Sequence, residues 1–264
     1  MTTTLQVQGI DVYVEGPSNA VATVVMIHGW PDTYRLWDAQ VTALAPTYRC
    51  VRFSLPGFEI SQPARKVSLD QMVALFGAII DAVSPAAPVT LLLHDWGCVF
   101  GYQFAAHHPA RVARMIGIDV GDTFAPSFVK SLSLKAKLII GGYQGWLAIA
   151  HSLGRVGTGM TRLMARALRA PASAQRLGAQ QNYPYVMQLG SGFRNAVNFK
   201  PHCPMLYFYG RKKPFMFHTQ GWLDSIAARP GSAVHEMATG HWVTMEQPVE
   251  FNRLMINWLA QPTS

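Results

Sequence analysis

Leu93-His94-Asp95-Trp96-Gly97 is the stretch on which the fold turns. An apolar run, Pro88 to Leu93, ends in a sharp polar turn, and a helix-like run, Cys98 to His107, follows at once. Strand, tight turn and helix in that order make a nucleophile elbow, which lifts one side chain above the sheet and leaves little room for bulk around it. The lifted residue is Asp95, where an esterase would carry Ser. A carboxylate nucleophile points to attack at carbon, giving an alkyl ester that water later hydrolyses. The other reading of Asp95 is a helix N-cap, and the stretch alone leaves both open.

Outward from this turn the chain alternates. Ala22 to Ile27, Tyr48 to Leu55, Arg114 to Val120 and Met205 to Tyr209 are apolar runs of the kind expected for strands buried on both faces. Leu5 to Glu15 suits an opening hairpin. Helical patterns mark Leu36 to Leu44, Leu69 to Val83, Val99 to His107 and Pro248 to Leu259. Alternating strands and helices imply an α/β fold, a mostly parallel central sheet with helices on both faces. The alternation breaks after Asp122. Residues 123–200 are helix-like and rich in Leu, Met, Ala and Arg, with breaks at Gly141-Gly142 and Gly190 to Gly192. They read as a helical lid inserted into one core domain formed by residues 1–122 and 201–264. Such an insertion would sit over the strand ends, where ligands bind in these sheets.

The chain of 264 residues is half hydrophobic, enough for a large core. Cys50, Cys98 and Cys203 are odd in number and lack metal spacing, so no disulfide framework is expected and a reducing, cytoplasmic setting is the default. Met1 to Gly9 does not read as a signal peptide. Leu138 to Leu153, the most apolar stretch, is short for a spanning helix. The net charge of +8 is uneven, with ten Lys or Arg and no Asp or Glu between Thr123 and Lys200. That lid reads either as a solvated surface or as one attracted to a membrane surface or an anionic substrate. Nucleic acid is not an expected partner, because the basic residues do not alternate with aromatics in a binding motif.

Three motifs now stand in order: His28-Gly29-Trp30-Pro31 after the first buried run, His94-Asp95-Trp96-Gly97, and Gly240-His241-Trp242 before the last helix. Together they resemble the α/β-hydrolase family, in its branch with an Asp nucleophile, which contains epoxide hydrolases and haloalkane dehalogenases. The resemblance covers nearly the whole chain outside the lid. It implies the α/β-hydrolase fold, with Asp95 as nucleophile and His241 as the base that activates the hydrolytic water. The backbone N–H groups of Trp30 and Trp96 would form the oxyanion hole, and His28 and His94 would brace the loops.

The third triad member departs from the common pattern. Many relatives place an acid in the loop after Met205 to Tyr209, and here Lys213 occupies that position. Some haloalkane dehalogenases carry the acid at the end of the strand after the nucleophile helix. Asp119, 24 positions after Asp95, matches that spacing and would orient His241. Asp122 is a weaker substitute, and Asp224 lies too far down the next helix.

The lid implied by the resemblance assists the leaving oxygen or halide. Tyr143-Gln144 followed by Trp146 resembles the segment carrying the first of two epoxide-hydrolase tyrosines. Phe193, in Gly192-Phe193-Arg194-Asn195, occupies the position of the second and has no hydroxyl. Either Tyr143 alone would then suffice, or Tyr183 or Tyr185 would supply the second. Trp30, Trp96, Trp146, Tyr143, Tyr185 and Phe193 are the expected lining of an apolar substrate pocket. The expected reaction is hydrolysis of an apolar epoxide to a diol, with haloalkane dehalogenation or non-catalytic ligand binding as alternatives. No metal or organic cofactor is implied, water is the co-reactant, and the oligomeric state stays open.

Overall fold

Strand β3 (Thr23–Ile27) sends Val24 and Met26 to one side of the sheet and Val25 and Ile27 to the other, and all four are buried. Each such side chain contributes about 1.5–3 kcal/mol of burial. A run without polar alternation therefore fits only the middle of a sheet covered on both sides. Strand β5 (Val89–His94) is likewise buried throughout. In the computed structural model, which describes residues 2–262, these two strands lie at the centre of one sheet. Residues 1, 263 and 264, the outer ends of the core segments read from the sequence, lie outside the described residues.

The sheet has eight strands in the order β1-β2-β4-β3-β5-β6-β7-β8. The remaining strands are β1 (Thr2–Val7), β2 (Ile10–Glu15), β4 (Arg49–Phe53), β6 (Val112–Ile118), β7 (Met205–Gly210) and β8 (Ala233–Met237). The first two form an antiparallel hairpin, β2 also runs antiparallel to β4, and every other pair is parallel. This is the mostly parallel α/β sheet expected. Strand β8 is an edge strand with half-exposed side chains, so no apolar run announces it.

One face is covered by α2 (Leu69–Val83), α3 (Trp96–His107) and α8 (Gln220–Ala227), and the other by α1 (Asp38–Leu44), α9 (Val243–Glu246) and α10 (Pro248–Leu259). Helix α2 opens on a capping box between Ser68 and Gln71. Helix α3 is buried on every side from Trp96 to Ala105 and starts three residues before its periodic pattern becomes readable. A helix apolar all round belongs inside the molecule. Between β6 and β7 the chain leaves the sheet and forms α4 (Pro126–Ser131), α5 (Leu134–Ser152), α6 (Thr158–Ala167) and α7 (Tyr183–Leu189).

Candidate active site

The elbow is a backbone feature before it is a chemical one. Asp95 follows β5 with φ 53° and ψ −121°, in a region that residues other than glycine rarely enter. Its side chain makes no capping hydrogen bond to α3, so the N-cap alternative is set aside. The turn is tight enough to need glycine on both flanks. A Cβ on Gly97 would strike the Ile27 carbonyl, and one on Gly29 would strike the Asp95 carboxylate and the Trp96 amide.

The carboxylate of Asp95 meets two sets of partners. Oδ1 accepts from the Trp30 amide at 2.6 Å, and the nearby Trp96 amide favours the charged carboxylate. Oδ2 lies 3.4 Å from His241 Nε2. Burial would raise the pKa of this carboxyl, but His241, with His94 and the Trp96 amide, outweighs it and holds the group below the usual carboxylate range. Oδ1 is thus held by the Trp30 amide while Oδ2 is turned towards the imidazole.

His241 bridges two acids. Its Nδ1 hydrogen-bonds Asp119 Oδ2, and Asp119 sits fully buried just past β6 at φ 70°. Burial alone would lower the pKa of His241, but Asp119 and Asp95 together raise it to about 9. Asp119 Oδ1 takes the Gly210 amide at 3.0 Å and the ammonium of Lys213. The Lys213 side chain is only 7% exposed, so this is a buried ion pair. Burial pushes Asp119 up, and Lys213 with His241 more than reverses it. Lys213, at the position where many relatives carry an acid, therefore grips the acid that stands elsewhere. Asp122 is turned away and accepts from the Thr219 amide and hydroxyl, and Asp224 bonds Gln220 on the surface.

The bracing histidines are neutral. His28 accepts from the Leu55 amide at 2.9 Å and donates to the Gly29 carbonyl, tying the Trp30 loop to the end of β4. His94 Nε2 bonds the His241 carbonyl at 3.1 Å. Burial lowers both to about 4. Sequence reading missed Asp32, which is 4% exposed and accepts from Trp242 Nε1 at 2.9 Å. It ties the residue after His241 to the loop that carries Trp30. Burial, opposed by the Trp242 bond, raises its pKa to about 7. The available signal was a lone carboxylate directly after His28-Gly29-Trp30-Pro31.

Above the acids is a cavity of about 280 Å³. Asp95, Trp96, Tyr143 and Tyr185 line it with Phe128, Leu132, Ile140 and Phe217. Burial, with the charge of Asp95 adding to it, raises both tyrosine pKa values, so both phenols hold their protons. Three expectations for the lining need correction. Trp146 faces outward at 37% exposure and donates to the Met160 carbonyl, because its side of α5 is the solvent side. Phe193 stacks on Trp96 and Phe100 and backs the wall rather than forming it. The Trp30 ring is buried with Nε1 bonded to Asn182 at 2.7 Å, so only its backbone serves the site. Tyr183 packs on Phe58 outside the lining.

Residues 22–149 match the family model described as the alpha/beta hydrolase fold. The probable oxidoreductase EphD of Mycobacterium tuberculosis is 39% identical over 115 residues, 42% of this chain, and this chain spans only 19% of that protein's length. The cis-3-alkyl-4-alkyloxetan-2-one decarboxylase of Shewanella oneidensis is 23% identical over 83% of this chain and 76% of its own length. Among solved structures, a Bacillus megaterium epoxide hydrolase in complex with an inhibitor superposes with a TM-score of 0.70. That match covers 98% of this chain and 100% of the other at 19% identity, a likeness of fold.

Proposed function

The chain belongs to the α/β hydrolases by fold, and from that premise we propose that it hydrolyses an apolar epoxide through an ester on Asp95. The observation that carries this reading is the shared cavity: a carboxylate held by the Trp30 amide shares it with two protonated tyrosines. Oδ2 of Asp95 attacks an epoxide carbon, and the ring C–O bond breaks. The oxygen takes a proton from Tyr143 or Tyr185, which regains one from the His241 imidazolium by way of water, leaving the imidazole neutral once the ester has formed. Oδ1 becomes the ester carbonyl oxygen, already seated against the Trp30 amide with that of Trp96 close by. His241 then accepts a proton from water, hydroxide adds to that carbonyl, and collapse releases the diol and frees Asp95.

The electrostatics suit this order. In the free site two carboxylates hold His241 protonated, with its pKa near 9. Ester formation removes the charge of Asp95, so the imidazole pKa falls at the step that needs a base. Haloalkane dehalogenation is less well served, because a departing halide needs N–H donors in the cavity. The ring N–H groups of Trp30 and Trp146 are already spent on Asn182 and Met160.

A second reading comes from the relative that matches most of this chain, named for a four-membered oxetanone. There Asp95 would open the ring at the carbon bearing the ring oxygen and free a carboxylate. Loss of carbon dioxide with departure of Asp95 would give an alkene, and no water is consumed. His241→Gln separates the readings. Incubated with an aryl epoxide, this variant is expected to accumulate an alkylated Asp95, visible by intact and peptide mass spectrometry. Alkene release from a cis-3,4-dialkyloxetan-2-one by the same variant would instead favour the second. Alkylation by a bromoalkane alone would make it a dehalogenase, and no adduct or product from any of the three would point to a binding protein.

A further inference from the structure

The lid carries a surface that the proposed chemistry does not use. All ten of its Lys and Arg side chains are exposed, and among the described residues none forms an ion pair. Of the fifteen large apolar side chains that stand exposed among the described residues, twelve lie in residues 123–200. The outer side of α5 concentrates them. Leu134, Leu138 and Ile149, with Leu153 just beyond, are 74, 67, 57 and 49% exposed at helical spacing. Trp146, bonded to Met160, joins this side to α6, where Arg162, Leu163 and Arg166 are exposed. Single exposed leucines need no explanation, but a concentration of them on one element does.

We infer that this face of the lid docks on an anionic lipid surface. A second copy of the same face is a poor occupant, since Arg162 and Arg166 would meet their own copies with no acid in residues 123–200 to pair with. Nucleic acid would satisfy the cations but leave the leucines and isoleucines without partners, for bases stack on aromatic side chains. A bilayer with anionic head groups offers negative charge and an acyl boundary together, the combination that surface-lying basic amphipathic helices use. No helix among the described residues is long and apolar enough to cross a membrane, so the contact is peripheral.

The cavity lies behind α5, on the side of the helix away from these leucines, and reaches the surface at the helix's edge. Val129, Lys137 and Gly141 line it and are also exposed, and Lys137 is the immediate neighbour of Leu138. An apolar substrate dissolved among acyl chains would enter without crossing water. This delivery step rests on the proposed reaction, whereas the docking does not.

The test is flotation of the full chain with vesicles of phosphatidylcholine, alone and mixed with phosphatidylglycerol. Binding is expected only to the anionic vesicles and is expected to weaken with salt. The triple variant Arg162→Gln, Arg166→Gln, Arg169→Gln should bind about a hundredfold more weakly. Leu138→Ser with Ile149→Ser should lose binding while circular dichroism stays unchanged. Asp95→Asn should dock like the wild type. Absence of binding to anionic vesicles at low salt overturns the proposal, as does binding that survives the Leu138 and Ile149 changes. A dimer in light scattering that those two changes abolish, without vesicle binding, assigns the face to a second copy. Equal binding to duplex DNA would make it a general polyanion site. Delivery is read by comparing a vesicle-embedded epoxide with a water-soluble one. The docking-deficient variant should slow only on the embedded one, and equal rates on both overturn delivery. If no epoxide is turned over while docking persists, the proposed reaction fails alone.

Discussion

The acid site and the lid above it are built by opposite rules. Outside residues 123–200 the chain has twelve basic and fourteen acidic residues, and the site residues answer one another. Asp95 meets His241, His241 meets Asp119, and Asp119 meets Lys213. Even a methyl group on Gly29 would collide with the Asp95 carboxylate. In the lid, ten cations stand without acids in their own segment, and its large apolar side chains crowd the outer surface. Internal contacts dictate the first region. The outer side of the second has no ion pair among the described residues. Substitutions should therefore be costly in one and cheap in the other, by amounts that can be ranked.

The largest effect should come from Asp95→Asn, which keeps shape and removes the attacking charge. Epoxide turnover is expected to fall by ~10⁴-fold or more, with the near-ultraviolet circular dichroism retained. Turnover that survived this change would mean that another group attacks, and the contrast between the two regions would lose its chemical half. Next in size are Tyr143→Phe and Tyr185→Phe. Each removes a proton donor and should lower the rate of alkyl-enzyme formation by about 10²-fold, measured by stopped-flow fluorescence. If only Tyr143→Phe matters, the hydroxyl missing at Phe193 has no replacement. If both matter, Tyr185 supplies it from a different helix.

The same contrast governs what could be read from the chain. The central strands were legible because burial on both faces keeps Ala22 to Ile27 and Pro88 to Leu93 free of charge, with Thr23 and Thr90 their only hydroxyls. The elbow was legible because its geometry tolerates only small neighbours, Gly97 above all. Strand β8 was not, since an edge strand faces solvent and leaves no apolar run. The spacing of Asp119 from Asp95 suggested its meeting with His241, but the grip of Lys213 on Asp119 joins positions 94 apart and has no local pattern. The lid misled most. Trp146 looks like pocket lining by composition, yet the wall of α5 that faces the cavity is the side bearing Ile140, Tyr143 and Gln144, and Trp146 lies on the solvent side. In a segment whose apolar residues lie on the outside, hydrophobicity does not report the inside.

Lys213 gives a finer test of the acid site. Its ammonium shares the charge of Asp119, so it limits how strongly Asp119 raises the pKa of His241. In the alkyl-enzyme, His241 must be neutral to act as base. Lys213→Met leaves Asp119 acting on His241 alone, which raises the imidazole pKa. The acid limb of the kcat profile, where the base becomes protonated, is therefore expected to move to higher pH. Lys213→Arg should move it back. A uniform loss of kcat with no displacement of the limb would reduce Lys213 to packing. The measurement is kcat against pH for an epoxide whose ester hydrolysis limits turnover.

The smallest expected effect belongs to the lid and bears most directly on the comparison. Leu138 is 67% exposed on α5, so Leu138→Ala removes little buried surface. Alanine is also the better helix former. Urea unfolding should shift by no more than about 0.5 kcal/mol, against about 2–5 kcal/mol for a buried Leu→Ala change such as at Leu93, which is fully buried. A loss of core size at Leu138 would mean that its side chain is covered in solution, by a second copy or by rearrangement of the lid. A negligible loss leaves a large apolar side chain exposed at no benefit to folding. The reason for its presence must then lie in what the lid meets, and binding to anionic vesicles is where it should register.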